Sequence, residues 1–335
     1  MGKRVGKRSV ALDAPPVIIA SACTVGGKEG EGPLKESFDT ISDDSYFGEK
    51  TWEKAESRMI KNTVASVLAK AALSPGDIEL AFAGDLVNQC TVSSFGLRES
   101  GIPYFGVYGA CSTMAETLAL ASMAVSSGFA VNAMAVTSSH FSTAERQYRM
   151  PLEYGGQRPP TSQWTVTGCG ALIISSGGVG PRVTGITPGV ITDAGITDAN
   201  NMGAAMAPAA HDTLTAHFED FGRSPSYYDL IVTGDLGFTG ADILRDLFRR
   251  DGIELGAGYT DCGMLIFDRE RQDVHSGGSG CGCSASVLAG YILNGMRSGR
   301  WKKVLFAATG ALLSPTTTMQ GESVPSIACA VSIEV

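Results

Sequence analysis

Gly109-Ala110-Cys111-Ser112-Thr113 joins an apolar run, Pro103 to Tyr108, to a stretch of small residues from Met114 to Ser127. The change of pattern reads as a strand giving way to a helix at Cys111. There a thiol meets the positive end of a helix dipole, which favours a thiolate and attracts anions. A lone Gly-Ala-Cys also suits a small buried residue in a tight turn. This one recurs in altered form about 170 residues later, as Cys281-Gly282-Cys283-Ser284-Ala285, inside a frame that is itself repeated.

The repeat is read in three places, in the same order. Ile78 to Leu86 (IELAFAGDL) resembles Tyr228 to Leu236 (YDLIVTGDL), an apolar strand ending in Gly-Asp-Leu. Cys111 to Thr137 resembles Cys283 to Thr309: a Cys-Ser start, an Ala/Ser-rich helix, Gly128 or Gly299 near its end, then an apolar strand. Thr165 to Ile174 (TVTGCGALII) resembles Pro325 to Ile333 (PSIACAVSI). An offset of roughly 150 to 170 residues is too long for a solenoid and indicates two fused copies of one domain. The division falls near residue 180, giving halves 1–180 and 181–335.

The pattern predicts helices at 51–72, 111–127, 209–220, 240–250 and 284–297, and strands at 78–84, 103–108, 132–139, 165–175, 228–233, 262–267, 303–309 and 326–334. Alternating strands and helices make an α/β fold with mainly parallel sheet, whose ligands sit beyond the carboxyl ends of the strands. At 44% apolar and 18% charged residues the chain is globular rather than disordered. Its net charge of −8 argues against nucleic acid. The eight cysteines are scattered through apolar segments, which suits a reducing compartment and leaves no second pair to make Cys281-x-Cys283 a zinc site. No cofactor or metal motif is found. No run approaches the roughly 18 apolar residues of a membrane span. Lys3, Arg4, Lys7 and Arg8 read as a solvated basic tail before a first strand at Val17–Ala22.

Residues 140–163 have no counterpart in the second half, and a loop this long inside a compact domain reads as a lid or binding loop. It carries His140, Arg146, Tyr148, Arg149, Tyr154, Gly155-Gly156, Gln157 and Arg158. The glycine-rich segment from Cys23 to Pro33 lacks phosphate-loop spacing, and nucleotide binding there is excluded.

The tandem halves with a cysteine at a helix start resemble the thiolase and ketoacyl-synthase superfamily. The segments AGDLVNQ (83–89), YGACSTMAETLALAS (108–122), TSSHFSTAERQYRMPLEYGGQRP (137–159), GITDANNMGAAMAPAAHDT (195–213), YYDLIVTGDLG (227–237), GGSGCGCSAS (277–286) and ATGALLSPTT (308–317) resemble more closely its sporulation branch in endospore-forming bacteria. The resemblance runs from about residue 13 to the end of the sequence. It implies a thiolase-like five-layer αβαβα fold with the helices at 111–127 and 284–297 between two sheets. It also implies a homodimer, with strands such as 132–139 apolar enough to continue a sheet across the twofold axis. For function it implies binding of dipicolinic acid, with calcium left open, and uptake with membrane proteins of the same operon. The location it implies is the forespore, peripheral on the inner spore membrane.

A condensing enzyme of this superfamily needs a thiolate, and His with His or Asn to stabilise the thioester oxyanion. Cys111 stands at the nucleophile's place, whereas Asp235 and Cys281 stand where the two polar partners belong. An anion at Asp235 opposes that chemistry. Binding a flat aromatic dianion asks only for a helix N-terminus, an arginine or two and an aromatic wall. Cys111, Arg146 or Arg149, and Tyr154 supply these, with His140 and Gln157 as hydrogen-bonding partners. Binding is therefore preferred, with acyl transfer through Cys111 as the alternative.

Overall fold

A computed structural model describes residues 2–148 and 158–335. Ten strands carry the architecture. In the first half they are β1 Val17–Gly26, β2 Leu80–Gly84, β3 Tyr104–Gly106, β4 Asn132–Ser139 and β5 Gly168–Ser175. In the second they are β6 Arg182–Pro188, β7 Leu230–Thr233, β8 Tyr259–Asp261, β9 Lys303–Ala311 and β10 Ser326–Glu334. They lie side by side as β3-β2-β4-β5-β1 and β8-β7-β9-β10-β6. In each leaf the first three strands are parallel, and the fourth runs antiparallel to both its neighbours. Every strand thus has a counterpart five strands later with the same neighbours and directions. One pairing, Arg182 with Val17, joins the two leaves edge to edge.

The period-2 alternation of the strands sorts the layers. On β4, Ala133 and Ala135 face a central core, whereas Met134 and Val136 face an outer one. On β9, Val304, Phe306 and Ala308 point to the same central core, and Leu305 and Ala307 to the other side. The helices take the resulting places. Helices α1 (Trp52–Ala71) and α2 (Thr91–Leu97) cover the first leaf. Between the leaves lie α3 (Thr113–Ser126) and, after the short α4 (Phe141–Tyr148), the last helix of the series. Helices α5 (Met202–Phe221) and α6 (Gly237–Arg250) cover the second leaf. That last helix, α7, runs from Cys281 to Arg297 through a π-helical stretch at Val287–Ile292. The order helix, sheet, helix, sheet, helix is the five-layer thiolase-like arrangement. Glycine makes the middle layer possible, because a Cβ on Gly170 of β5 would lie 2.3 Å from the Ala285 carbonyl of α7.

Several expectations are corrected. The stretch 262–267 is not a strand: β8 ends at Asp261, whose carboxylate accepts the Gly263 N–H at 2.9 Å and starts a helical turn, Cys262–Leu265. Helix α5 begins seven residues before the expected 209, at Met202, carrying Pro208 inside it. The 140–163 segment is not irregular throughout, since 141–148 is helical. The basic start is no free tail. Gly2–Val5 and Ser9–Leu12 form a hairpin that pairs with β6, because Asp220 accepts the N–H groups of Lys7, Arg8 and Ser9. Strand β4 is enclosed between β2 and β5 and cannot extend a sheet to another copy; the edge left unpaired in its leaf is β3. Among the described residues no helix is long and apolar enough to cross a membrane.

Candidate functional site

The chain leaves β3 and reaches α3 through a tight turn in which Ala110 takes a left-handed φ of +53°. For an alanine this costs about 1 kcal/mol or more, so the surroundings must hold it. Ser112 Oγ donates to the Gly109 carbonyl at 2.7 Å, and Thr113 Oγ1 accepts the Gly109 N–H at 3.1 Å while donating to the Ala110 carbonyl. From the other half Gly310 of β9 presses on the turn: a Cβ there would lie 2.1 Å from the Gly109 oxygen. Cys111 is thereby fixed at the seam between the halves.

Three expected site residues meet at this seam. Cys111 and Cys281 share an apolar cluster with Leu86, Ala110 and Ala144. The Cys281 thiol donates to the Ser138 carbonyl, 2.9 Å away. Asp235, fully buried, accepts from Thr309 Oγ1 at 2.9 Å, Ser279 Oγ at 3.0 Å and the Gly280 N–H at 2.9 Å, and its charge lies close enough to the Cys111 thiol to act on it. Burial pushes the Asp235 carboxyl up to about 6, against the pull of these donors. Burial also drives the Cys111 thiol well above its usual value, and the Asp235 charge adds to the rise. The expectation of a dipole-stabilised thiolate is therefore overturned: a carboxylate beneath the sulfur and the loss of water outweigh the helix end.

A cavity opens above Cys111. Leu86, Ala110, Ala144, Met202, Ala311 and Leu313 form apolar walls, and Glu145, Tyr148, Thr165 and Ser279 supply polar groups. Thr165 Oγ1 donates to Glu145 at 3.4 Å, and Tyr148 Oη contacts Tyr108 Oη at 2.8 Å and donates to the Leu86 carbonyl at 2.6 Å. Among the described residues no basic side chain lines it. Nor does any group of three His, Cys, Asp or Glu residues stand ready for a metal ion there or elsewhere among them.

The other expected residues go elsewhere. His140 does not reach Cys111. Its Nε2–H donates to the Ser45 carbonyl at 2.8 Å and its Nδ1 accepts the Ser142 N–H, and desolvation lowers its basicity, so it is a buried neutral ring. It borders a different hollow, beside Lys28 and Trp164. Arg146 pairs with Glu53 and lies 5.2 Å over the Trp52 ring, away from the cavity. Arg149, Tyr154 and Gln157 lie outside the described residues. Glu145, Thr165 and Ser279 were missed. Ala144 and Tyr148 are one helical turn apart and flank Glu145, a signal that reading the whole segment as a loop concealed.

Relatives place this geometry. The family model for stage V sporulation protein AD matches residues 6–334. The stage V sporulation protein AD of Bacillus subtilis (strain 168) is 45% identical over 332 residues, covering 99% of this chain and 98% of that protein. Among solved structures, 3-oxoacyl-[acyl-carrier-protein] synthase III from Aquifex aeolicus VF5 superposes with a TM-score of 0.58 at 14% identity, over 96% of this chain and all of that one. A variant of Xanthomonas campestris OleA gives 0.57 at 14% identity, over 99% of this chain and 100% of that one. The structural likenesses establish the thiolase-like fold. With a shared sequence along nearly its whole length, the chain belongs to the stage V sporulation protein AD family.

Proposed function

We propose that the protein binds dipicolinic acid without transforming it, in the cavity above Cys111, and so assists its uptake into the developing spore. The observation that carries the non-catalytic half is the buried Asp235 carboxylate near the Cys111 thiol, where its charge opposes a thiolate. A condensing enzyme needs hydrogen-bond donors where its oxyanion forms, and each such donor is worth about 3–4 kcal/mol, or 10²- to 10³-fold in rate. Here an acceptor stands in place of one donor, and Cys281, whose thiol is committed to Ser138, in place of the other.

Family membership, with the resemblance to the dipicolinate-binding sporulation branch, supports the choice of ligand. Leu86, Ala144 and Leu313 offer apolar walls beside Tyr148, and the Thr165 and Ser279 hydroxyls, whose protons go to Glu145 and Asp235, offer acceptor lone pairs. Glu145 and Asp235 favour a ligand that brings a proton on one carboxyl. The second carboxylate is assigned to Arg149, or to Arg146 once it leaves Glu53, with calcium as a further counter-charge. Attachment at the inner spore membrane is assigned to membrane proteins of the same operon.

Calorimetric titration with dipicolinate, with and without calcium, and with acetyl-CoA tests the reading. Cys111→Ala is expected to fold and to weaken dipicolinate binding less than tenfold, and Cys111→Trp to abolish it by filling the cavity. Turnover of acyl-CoA with a stable acyl adduct on Cys111 would instead make the chain an acyltransferase.

A further inference from the structure

The cavity above Cys111 is smaller than the ligand proposed for it. Its volume is about 40 Å³, room for roughly three waters, so a ring bearing two carboxylates enters only if a wall moves. Most walls are locked into bonded backbone. Thr165 stands opposite Ser279 in a two-stranded parallel ribbon, Ala311 belongs to β9, and Ala110 and Cys111 sit in the turn bound by Ser112 and Thr113. A groove of about 470 Å³ adjoins the cavity, with Asn88, Gln89, Tyr108 and Gln147 along it. Tyr148 and Leu313 line both spaces and form the partition between them.

Hydrogen bonds hold the Tyr148 side of that partition shut. Tyr148 ends α4, one turn after the cavity wall Ala144. Its Oη donates to the Leu86 carbonyl at 2.6 Å and, its own proton thus used, accepts from Tyr108 Oη at 2.8 Å. Gln147 grips the same stretch of chain: its Nε2 donates to the Leu86 carbonyl at 2.9 Å, and its Oε1 accepts the Asn88 N–H at 2.9 Å. The gripped stretch is strained. Gln89 and Cys90, consecutive and neither a glycine, are both left-handed, with φ of +61° and +51°. Such backbone persists where its surroundings hold it, and the end of α4 does so here. A phenol swings about its first side-chain torsion without disturbing the helix, and the groove has room to receive the ring.

We infer that Tyr148, latched by Leu86 and Tyr108, is the door of the cavity and selects by size what reaches Cys111. The identity of the ligand rests on the dipicolinate reading; the door does not, because Cys111 itself reports on it. The full chain is labelled at mildly alkaline pH with N-phenylmaleimide and, in parallel, with the smaller methyl methanethiosulfonate, and the sites are located by mass spectrometry. Tyr148→Phe keeps the ring and loses both latch bonds, each worth a factor of about five in the opening equilibrium. It is expected to raise phenylmaleimide labelling of Cys111 about fivefold or more, and to raise labelling by the smaller reagent less. Tyr108→Phe leaves the bond to Leu86 and is expected to have the smaller effect. The buried Cys23, Cys169 and Cys329 serve as internal controls for the fold and should stay unlabelled. With dipicolinate, stopped-flow mixing of Tyr148→Phe should show association and dissociation accelerated by the same factor and Kd unchanged, since a door alters the barrier and not the equilibrium. Cys111 labelling unchanged in Tyr148→Phe, or rising equally at the control cysteines, overturns the inference. So does a weaker Kd carried by dissociation alone, which would make the phenol a ligand contact. If labelling responds as expected and dipicolinate does not bind, the door stands and the ligand reading fails.

Discussion

Asp235 holds its proton more tightly than an ordinary carboxyl because it sits dry beneath Cys111, and this has a measurable sign. Its folded value is about 6, and an exposed carboxyl releases its proton near 3.8. Between those values the folded state keeps a proton that the unfolded state has lost, so stability falls as pH rises through the window and no further above it. Asp235→Asn removes that loss. From pH 4 to pH 7 the variant should gain on the wild type by up to about 3 kcal/mol, measured as paired urea unfolding curves. Burial raises Glu29 to about 7, Asp261 to about 7 and Glu56 to about 8 in the same way. The wild type should therefore lose stability as pH rises from about 4.5 to about 8, partly offset below about pH 6.5 by His217, whose basicity, lowered to about 3 on folding, adds stability over that lower range. The Cys111 thiol gives a second readout. Alkylation at pH 7.5, followed by mass spectrometry, should be slower than for free cysteine and faster in Asp235→Asn; rapid alkylation of the wild type would contradict the buried thiol.

At the scale of elements, the site depends on how closely a strand of one half approaches a turn of the other. Gly310 of β9 leaves room for the Gly109 carbonyl, and an added Cβ would sit 2.1 Å from that oxygen. Neither backbone can yield easily: β9 is paired on both sides, and the Gly109 turn is bound through Ser112 and Thr113. Gly310→Ala is expected to lower stability by about 1–3 kcal/mol, the usual penalty of overpacking, and to weaken ligand binding by displacing Cys111. Thermal unfolding together with titration checks both effects; a variant unchanged in each would show that the turn is free to move.

For the whole molecule, the two leaves leave different edges. Tyr259 and Asp261 of β8 are buried, whereas β3 presents Phe105, 57% exposed and stacked on Phe82, with Phe95 and Tyr108 nearby at 55% and 45%. The homodimer implied by the resemblance is proposed to form on this β3 edge, where backbone N–H and C=O groups are unpaired along the strand. Phe105→Lys should shift the protein from dimer to monomer in sedimentation at micromolar concentration. A wild type that is monomeric there removes the proposal.

The family resemblance implied the convergence of Cys111, Asp235 and Cys281; the chain by itself determined the duplication and the alternation of strands and helices. Those features are written in local patterns, the recurring Gly-Asp-Leu and Cys-Ser frames, and a repeated sequence of strands folds into a repeated sheet. It did not determine the charge state of Cys111. The helix end is local and argues for a thiolate, but burial by packing from both halves and the charge of Asp235, more than a hundred positions away, prevail. The fates of Arg146, drawn to Glu53, and of His140, satisfied by Ser45, were equally beyond the sequence. Polar side chains on one short segment have several partners open to them, and only packing of the segment against α1 and the 40s loop selects among them. The enclosure of β4 and the bare edge at β3 follow the same rule: both strands are apolar, and strand order, a long-range property, decides which one meets water.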